Sequence, residues 1–91
     1  MNQAIPTASQ VTEALAQAIY GTPFSEIADP DMAAKYQAAA EEIATKSLHR
    51  NVVAIAEFIA RAEYDAEFAI LNVFEVGYCS FTAREVVALL N

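Results

Sequence analysis

The sequence predicts an all-α protein, a small single-domain bundle of four to five helices that spans residues 1–91. Neither glycine nor proline occurs from Asp31 to Val76, so no residue of the usual helix-breaking kind interrupts that stretch. Apolar residues recur along the chain at steps of three and four, which is the spacing of one helix face. The 56% hydrophobic content of 91 residues is enough for one core and too little for two.

The first helix is predicted over residues 8–20. Thr7 or Ser9 can cap its start, because a hydroxyl oxygen accepts a hydrogen bond from a free backbone N–H of the first turn. Gly21 follows the last apolar residue and favours a left-handed stop. These signals predict both boundaries of the helix.

Proline marks the next two starts. Pro23 precedes a short turn over residues 24–27, and Asp29 with Pro30 begins the second helix, with the carboxylate as cap and the proline at the first helical position. The apolar stripe of that helix then meets polar residues at 47, 50 and 51. We therefore expect a bend or short loop around Ser47–Asn51.

Beyond the bend, apolar residues from Val52 to Val73 keep one direction on a helical wheel. They predict one long helix over about residues 51–76, roughly 39 Å long at 1.5 Å per residue. A domain of this size has a radius of gyration of only roughly 12 Å. Such a helix is either kinked near Tyr64-Asp65 or covered at its overhanging end by a second molecule.

A short capped C-terminal helix is predicted to close the chain. Gly77 offers a stop for the long helix, and Thr82 with Glu85 then matches a capping box. Residues 81–91 also resemble the opening helix of excisionase-type and MerR-type winged helix-turn-helix domains. Those families follow it with a recognition helix that residues 81–91 do not include, so we assign the chain to no family.

The negative net charge of the chain argues against nucleic acid and membrane surfaces as binding partners. Twelve acidic and five basic residues give a net charge of −7, which repels nucleic-acid phosphate and anionic membrane surfaces. We therefore expect no direct nucleic acid binding and no membrane binding. The start of the sequence lacks the pattern of a secretion signal, and a single cysteine fits a reducing compartment, so a cytoplasmic location is predicted.

Three helical ion pairs are expected: Asp31/Lys35, Glu42/Lys46 and Glu57/Arg61.

Catalytic patterns are not found. The sequence has no phosphate-binding glycine loop, no nucleophile elbow and no Glu-x-x-His pair of a di-iron bundle. The lone histidine, His49, and the lone cysteine, Cys79, are expected to be structural, although a nucleophilic pair between them stays open. We expect no enzyme activity, no cofactor and no metal.

One part of the predicted long helix is a candidate partner-binding face. Its acidic residues surround two aromatic residues at i,i+4 spacing, and aromatic anchors with a polar rim dominate many protein interfaces. The plainer alternatives are a solvated acidic face and aromatic side chains covered by another helix of the same chain. The candidate residues are Glu57, Glu63, Tyr64, Asp65, Glu67 and Phe68.

These features predict a small acidic protein that works by binding another protein with a basic surface. An inhibitor or adaptor acting on a nuclease, a CRISPR complex or another nucleic-acid-processing protein fits this description, as phage-encoded antagonists of that type share the size and charge. The alternative is a structural or assembly subunit, whose helices form a homo-oligomer such as a homodimer.

Overall fold

The structure, a computed structural model, describes residues 5–91, and the predicted domain's residues 1–4 lie outside that part. It confirms the all-α bundle, since the described chain contains helices and no strand. No helix within it is both long and apolar enough to cross a membrane. The α-helices are α1 (Ala8–Tyr20), α2 (Pro30–Thr45), α3 (Val52–Tyr64) and α4 (Val73–Leu90). Two short 3-10 helices cover Phe24–Glu26 and Phe68–Ile70.

The predicted boundaries of α1 are confirmed. The Thr7 hydroxyl accepts a hydrogen bond from the Gln10 backbone N–H at 3.2 Å, and the Gln10 side chain accepts one from the Thr7 N–H at 2.8 Å. Gly21 ends the helix in the left-handed region, with φ of 69°. The helix is thus fixed at both ends by residues close to it in sequence.

The start of α2 and the bend after it are confirmed as well. Asp29 accepts a hydrogen bond from the Asp31 N–H at 2.9 Å, and Pro30 occupies the first helical position. The chain leaves the helix through Ser47, whose φ is +55°, and Asn51 then caps α3 by accepting from the Ala54 N–H at 3.0 Å. The loop therefore forms without glycine or proline, and Leu48 within it packs against the core.

The single long helix predicted over residues 51–76 is wrong, and the chain breaks near Tyr64-Asp65, where the alternative of a kink is predicted. Helix α3 ends at Tyr64, because Asp65 adopts a left-handed conformation with φ of 53°. Aspartate tolerates that conformation better than most residues, so the break needs no glycine. The next helix begins only at Val73, where Asn72 and Glu75 satisfy each other's backbone N–H groups at 2.9 and 3.0 Å. This capping box lies within an apolar run that otherwise looks continuous.

The predicted short C-terminal helix is also wrong, because α4 begins earlier and runs for 18 residues. Gly77 lies inside it rather than stopping it, and Thr82 is buried in its middle rather than capping a start. A glycine costs a helix interior only about 1 kcal/mol relative to alanine. Burying Cys79, Ala83 and Val86 of the same helix against the core offsets that cost.

Successive helices run antiparallel around one core. Helix α1 packs against α2 and α4, and α3 packs mainly against α4. The largest buried side chains come from all four helices: Val11, Leu15, Tyr36, Ile43, Ile55, Ile59, Cys79 and Val86. The ends of α1 and α3 consequently meet the starts of α2 and α4 at one end of the bundle. At the opposite end, the Asn91 side chain donates to the His49 carbonyl at 3.1 Å.

Candidate protein-binding surface

All four tyrosines of the chain lie at the first of these ends, which we call the tyrosine end. Tyr20 of α1 meets Tyr36 of α2 edge to face, with ring centroids 6.1 Å apart. Tyr64 of α3 meets Tyr78 of α4 in the same way at 6.4 Å. Three of the rings reach the surface, since Tyr20, Tyr64 and Tyr78 keep 41%, 37% and 38% of their area exposed.

Tyr36 is the buried member of the group, with 1% of its area exposed. Burial, and then the nearby carboxylate of Glu63, raises the pKa of Tyr36 well above its usual value, because both disfavour a charged phenolate. The hydroxyl nevertheless completes no hydrogen bond of standard geometry with any described residue. The ring therefore belongs to the core, while its polar tip points toward the acidic surroundings of Glu63.

Glu63 is the common neighbour of these groups. Burial is the first cause that raises the pKa of each tyrosine and of the Cys79 thiol, and the negative charge of Glu63 raises all of these pKa values further. Glu63 is the second cause for all of them except Tyr64, where Cys79 and Glu75 precede it. For Tyr78, burial together with Glu63 raises the pKa to about 12. The other side-chain carboxylates acting on tyrosines are Asp29 and Glu75, and they raise the pKa too. Carboxylates thus surround the tyrosine rings, while Lys35 and Arg61 lie beside Asp65.

The structure separates the predicted site residues into two groups. Glu63 is half-buried among the tyrosines, Tyr64 pairs with Tyr78, and Asp65 is exposed at the end of α3. These three lie at the tyrosine end. The expectation that Tyr64 and Phe68 share one helix face is wrong, because the helix ends between them.

The second group lies on the outer side of α3. Glu57, Glu67 and Phe68 line a shallow pocket of about 220 Å³ together with Arg61. Phe68 is half-buried and packs against the core, so the 3-10 helix that carries it folds back onto α3. Phe68 is therefore covered mainly by its own chain.

Sequence analysis missed three members of the tyrosine end, namely Tyr20, Tyr36 and Tyr78. They come from three different helices and are separated by many residues, so no local pattern unites them. The available signal was that a tyrosine lies close to the end of α1 and another at the end of α3, which an antiparallel bundle brings together.

The structure also tests the predicted ion pairs and the pair of Cys79 and His49. Of the three expected ion pairs, Glu42/Lys46 forms at 3.6 Å, whereas the carboxylates of Asp31 and Glu57 stay beyond ion-pair distance of their expected partners. The considered pair of Cys79 and His49 does not form. The His49 carbonyl accepts a hydrogen bond from the Asn91 side chain. At 1.5 Å per residue, Asn91 is roughly 18 Å from Cys79 along the axis of α4. Within residues 5–91 no three metal-ligating side chains converge.

Comparison with known proteins gives no match to a family model, to a curated protein or to a solved structure. The function is therefore argued from the surfaces of this chain.

Proposed function

We propose that this protein acts by binding another protein, without catalysing a reaction, and that the tyrosine end is its binding surface. The observation that carries the proposal is the grouping of three partly exposed tyrosines among carboxylates. Tyrosine supplies a large contact area and a polar tip, and it is enriched at protein interfaces for that reason. Edge-to-face pairing holds the rings in place before a partner arrives.

Charge favours a basic partner. Asp29 and Asp65 are exposed near the ends of the helices that meet there, and the chain carries seven more negative than positive charges. A potential of one sign accelerates encounter with a surface of the opposite sign and disfavours acidic partners. We therefore propose a partner that presents lysine and arginine side chains.

A nucleic-acid-processing protein is the partner class that these groups fit best. Clefts that bind single strands combine basic side chains for phosphates with aromatic side chains on which bases stack. The tyrosine end offers carboxylates and rings to a cleft of that kind. An inhibitor or adaptor of a nuclease or CRISPR complex, of the phage-encoded type, is consistent with this chemistry.

An assembly subunit is the second candidate. It is favoured by a separate observation, the exposure of several large apolar side chains along α4, among them Phe74 and Phe81.

The proposal is tested by capture of partners with matched charge variants. Immobilised wild-type protein, Glu63→Gln/Asp65→Asn and Glu41→Gln/Glu42→Gln are exposed to the same cell extract, and bound proteins are identified by mass spectrometry. Both double variants change the net charge equally, but the second places its changes in the C-terminal half of α2, away from the tyrosines. Circular dichroism checks that both keep the wild-type helicity.

We expect a basic protein on the wild type and on the Glu41/Glu42 variant, and its loss from the Glu63/Asp65 variant. Equal capture by all three forms would show that net charge alone, or another surface, is responsible. The tyrosine end would then not be the binding surface.

A further inference from the structure

We propose that two copies of this chain pair through the exposed side of α4, antiparallel, with the two-fold axis at Phe81. The inference does not depend on the tyrosine end or on its partner. It concerns a surface that we call the α4 face, which consists of Val73, Phe74, Gly77, Phe81, Ala88 and Leu89.

The α4 face is apolar and exposed. Phe74 and Phe81 keep 85% and 64% of their area in contact with solvent, and Val73 and Leu89 keep 77% and 54%. Residues 74, 77, 81 and 88 are spaced by three, four and seven, which puts them in one row along the helix. The opposite side of α4 is buried in the core through Cys79, Ala83 and Val86. A helix that is apolar on both sides is ordinarily buried on both.

Gly77 lies in the N-terminal half of this row, and no contact or backbone angle of the single chain requires glycine there. Its backbone is helical without a positive φ, and a Cβ built on it meets no atom within 4 Å. Glycine weakens a helix interior, so alanine is the expected residue at such a place. What glycine permits is the close approach of another backbone. This observation points to a helix as the occupant of the face.

The row is complementary to itself when it is reversed. In an antiparallel pair with its two-fold axis at Phe81, both copies contribute the same residues to the contact, which is the arrangement of an isologous interface. Phe81 meets the Phe81 of the second copy on the axis, and Phe74 packs across the seam from Ala88, so that a large residue meets a small one. On one flank of the seam Leu89 lies beside Phe74 of the second copy, and on the other flank Gly77 lies beside its Arg84.

The apolar area is what a dimer of this kind needs. With about 150–250 Å² for a fully exposed aromatic side chain, the exposed fractions of the α4 face amount to roughly 500 Å² of apolar surface. A specific interface covers about 800 Å² on each partner, of which about 65% is apolar in homodimers. The two quantities agree, so a second copy accounts for the whole apolar row.

Charge supports the antiparallel direction. The row itself carries Arg84 and Glu85 between Phe81 and Ala88, so it is neutral although the chain is strongly acidic. A parallel pair brings two tyrosine ends together, and their carboxylates repel each other. An antiparallel pair points the two tyrosine ends in opposite directions.

The first test is the association of the purified protein. Sedimentation equilibrium over a range of concentrations should show a monomer–dimer equilibrium. Phe81→Ser should raise the dimer dissociation constant by more than about tenfold, since the side chain on the axis is buried twice. Val53→Ser is the matched control, because Val53 on α3 is 63% exposed and lies off this face; it should leave the constant unchanged. A monomer at all concentrations, or equal effects of both variants, would overturn the proposal.

The second test fixes direction and register by disulfide cross-linking. Phe81→Cys should cross-link to itself under mild oxidation. Phe74→Cys and Ala88→Cys should fail alone but cross-link when the two proteins are mixed. The wild type should not cross-link, because its Cys79 is fully buried. Efficient cross-linking of all three variants alone would show a parallel pair, and cross-linking no better than that of Val53→Cys would show that the face is covered by something other than a second copy. Either result contradicts the inference.

Discussion

The fold raises the pKa values of the Tyr36 and Tyr78 hydroxyl groups more than those of the other tyrosines. Burial is the first cause and Glu63 the second, and both favour the neutral phenol. For Tyr78 the pKa rises from 10.0 to about 12. In the unfolded chain neither cause acts, so these tyrosines ionise more easily there. Alkaline pH therefore favours the unfolded state.

This difference predicts a loss of stability above pH 10. Between pH 10 and about 12 the unfolded chain has released the Tyr78 proton while the folded chain still holds it, so the free energy of unfolding falls as the pH rises. The stabilisation is complete below pH 10. Urea unfolding at a series of alkaline pH values measures the fall, and Tyr78→Phe should make it shallower. A free energy of unfolding that is constant up to pH 12 would contradict the assigned environment.

At the scale of single elements, local chemistry predicted some boundaries and not others. Thr7, Asp29 and Gly21 each act within three residues of the boundary that they set, so α1 and the start of α2 could be predicted. The break between α3 and α4 could be predicted only as an alternative, a kink near Tyr64-Asp65 inferred from the length of the helix, because the apolar residues on both sides stay in phase for one helix. Asn72 as a cap is inconspicuous inside an apolar run, and the Thr82/Glu85 pattern is as compatible with a helix interior as with a start.

The two glycines provide an element-scale prediction. A Cβ meets no atom within 4 Å at either position, but Gly77 is helical while Gly21 has φ of +69°. Gly77→Ala should therefore stabilise the fold by about 1 kcal/mol through helix propensity. Gly21→Ala should destabilise it by about 1–2 kcal/mol, because alanine is strained in the left-handed region. Urea unfolding measures both.

The Gly77 comparison is made at concentrations where the wild type is monomeric, so that pairing through α4 does not contribute. A loss of stability in Gly77→Ala under that condition would show that residue 77 is not in the interior of a helix. Equal effects of the two substitutions would likewise contradict the different backbone conformations.

At the scale of the whole molecule, the antiparallel bundle assembles a surface that no segment contains. Glu63, Tyr64 and Asp65 could be predicted as part of an acidic aromatic patch because they are adjacent in sequence. The same reasoning included Glu57 and Phe68, which the break at Asp65 separates from that patch. It omitted Tyr20 and Tyr78, because their contacts depend on how α1 and α4 meet the other helices. Long-range packing decided which residues form the tyrosine end.

The central claim, that the tyrosine end binds a basic protein, is tested most directly by the rate constants of binding to the captured partner. The association rate constant of the wild type should fall steeply with added salt, and Glu63→Gln/Asp65→Asn should lower it further at low salt, because exposed charges steer encounter. Tyr64→Ala should instead raise the dissociation rate constant, since it removes contact area, provided that its helicity is unchanged. An association rate constant independent of salt, together with a dissociation rate constant unaffected by Tyr64→Ala, would contradict the account.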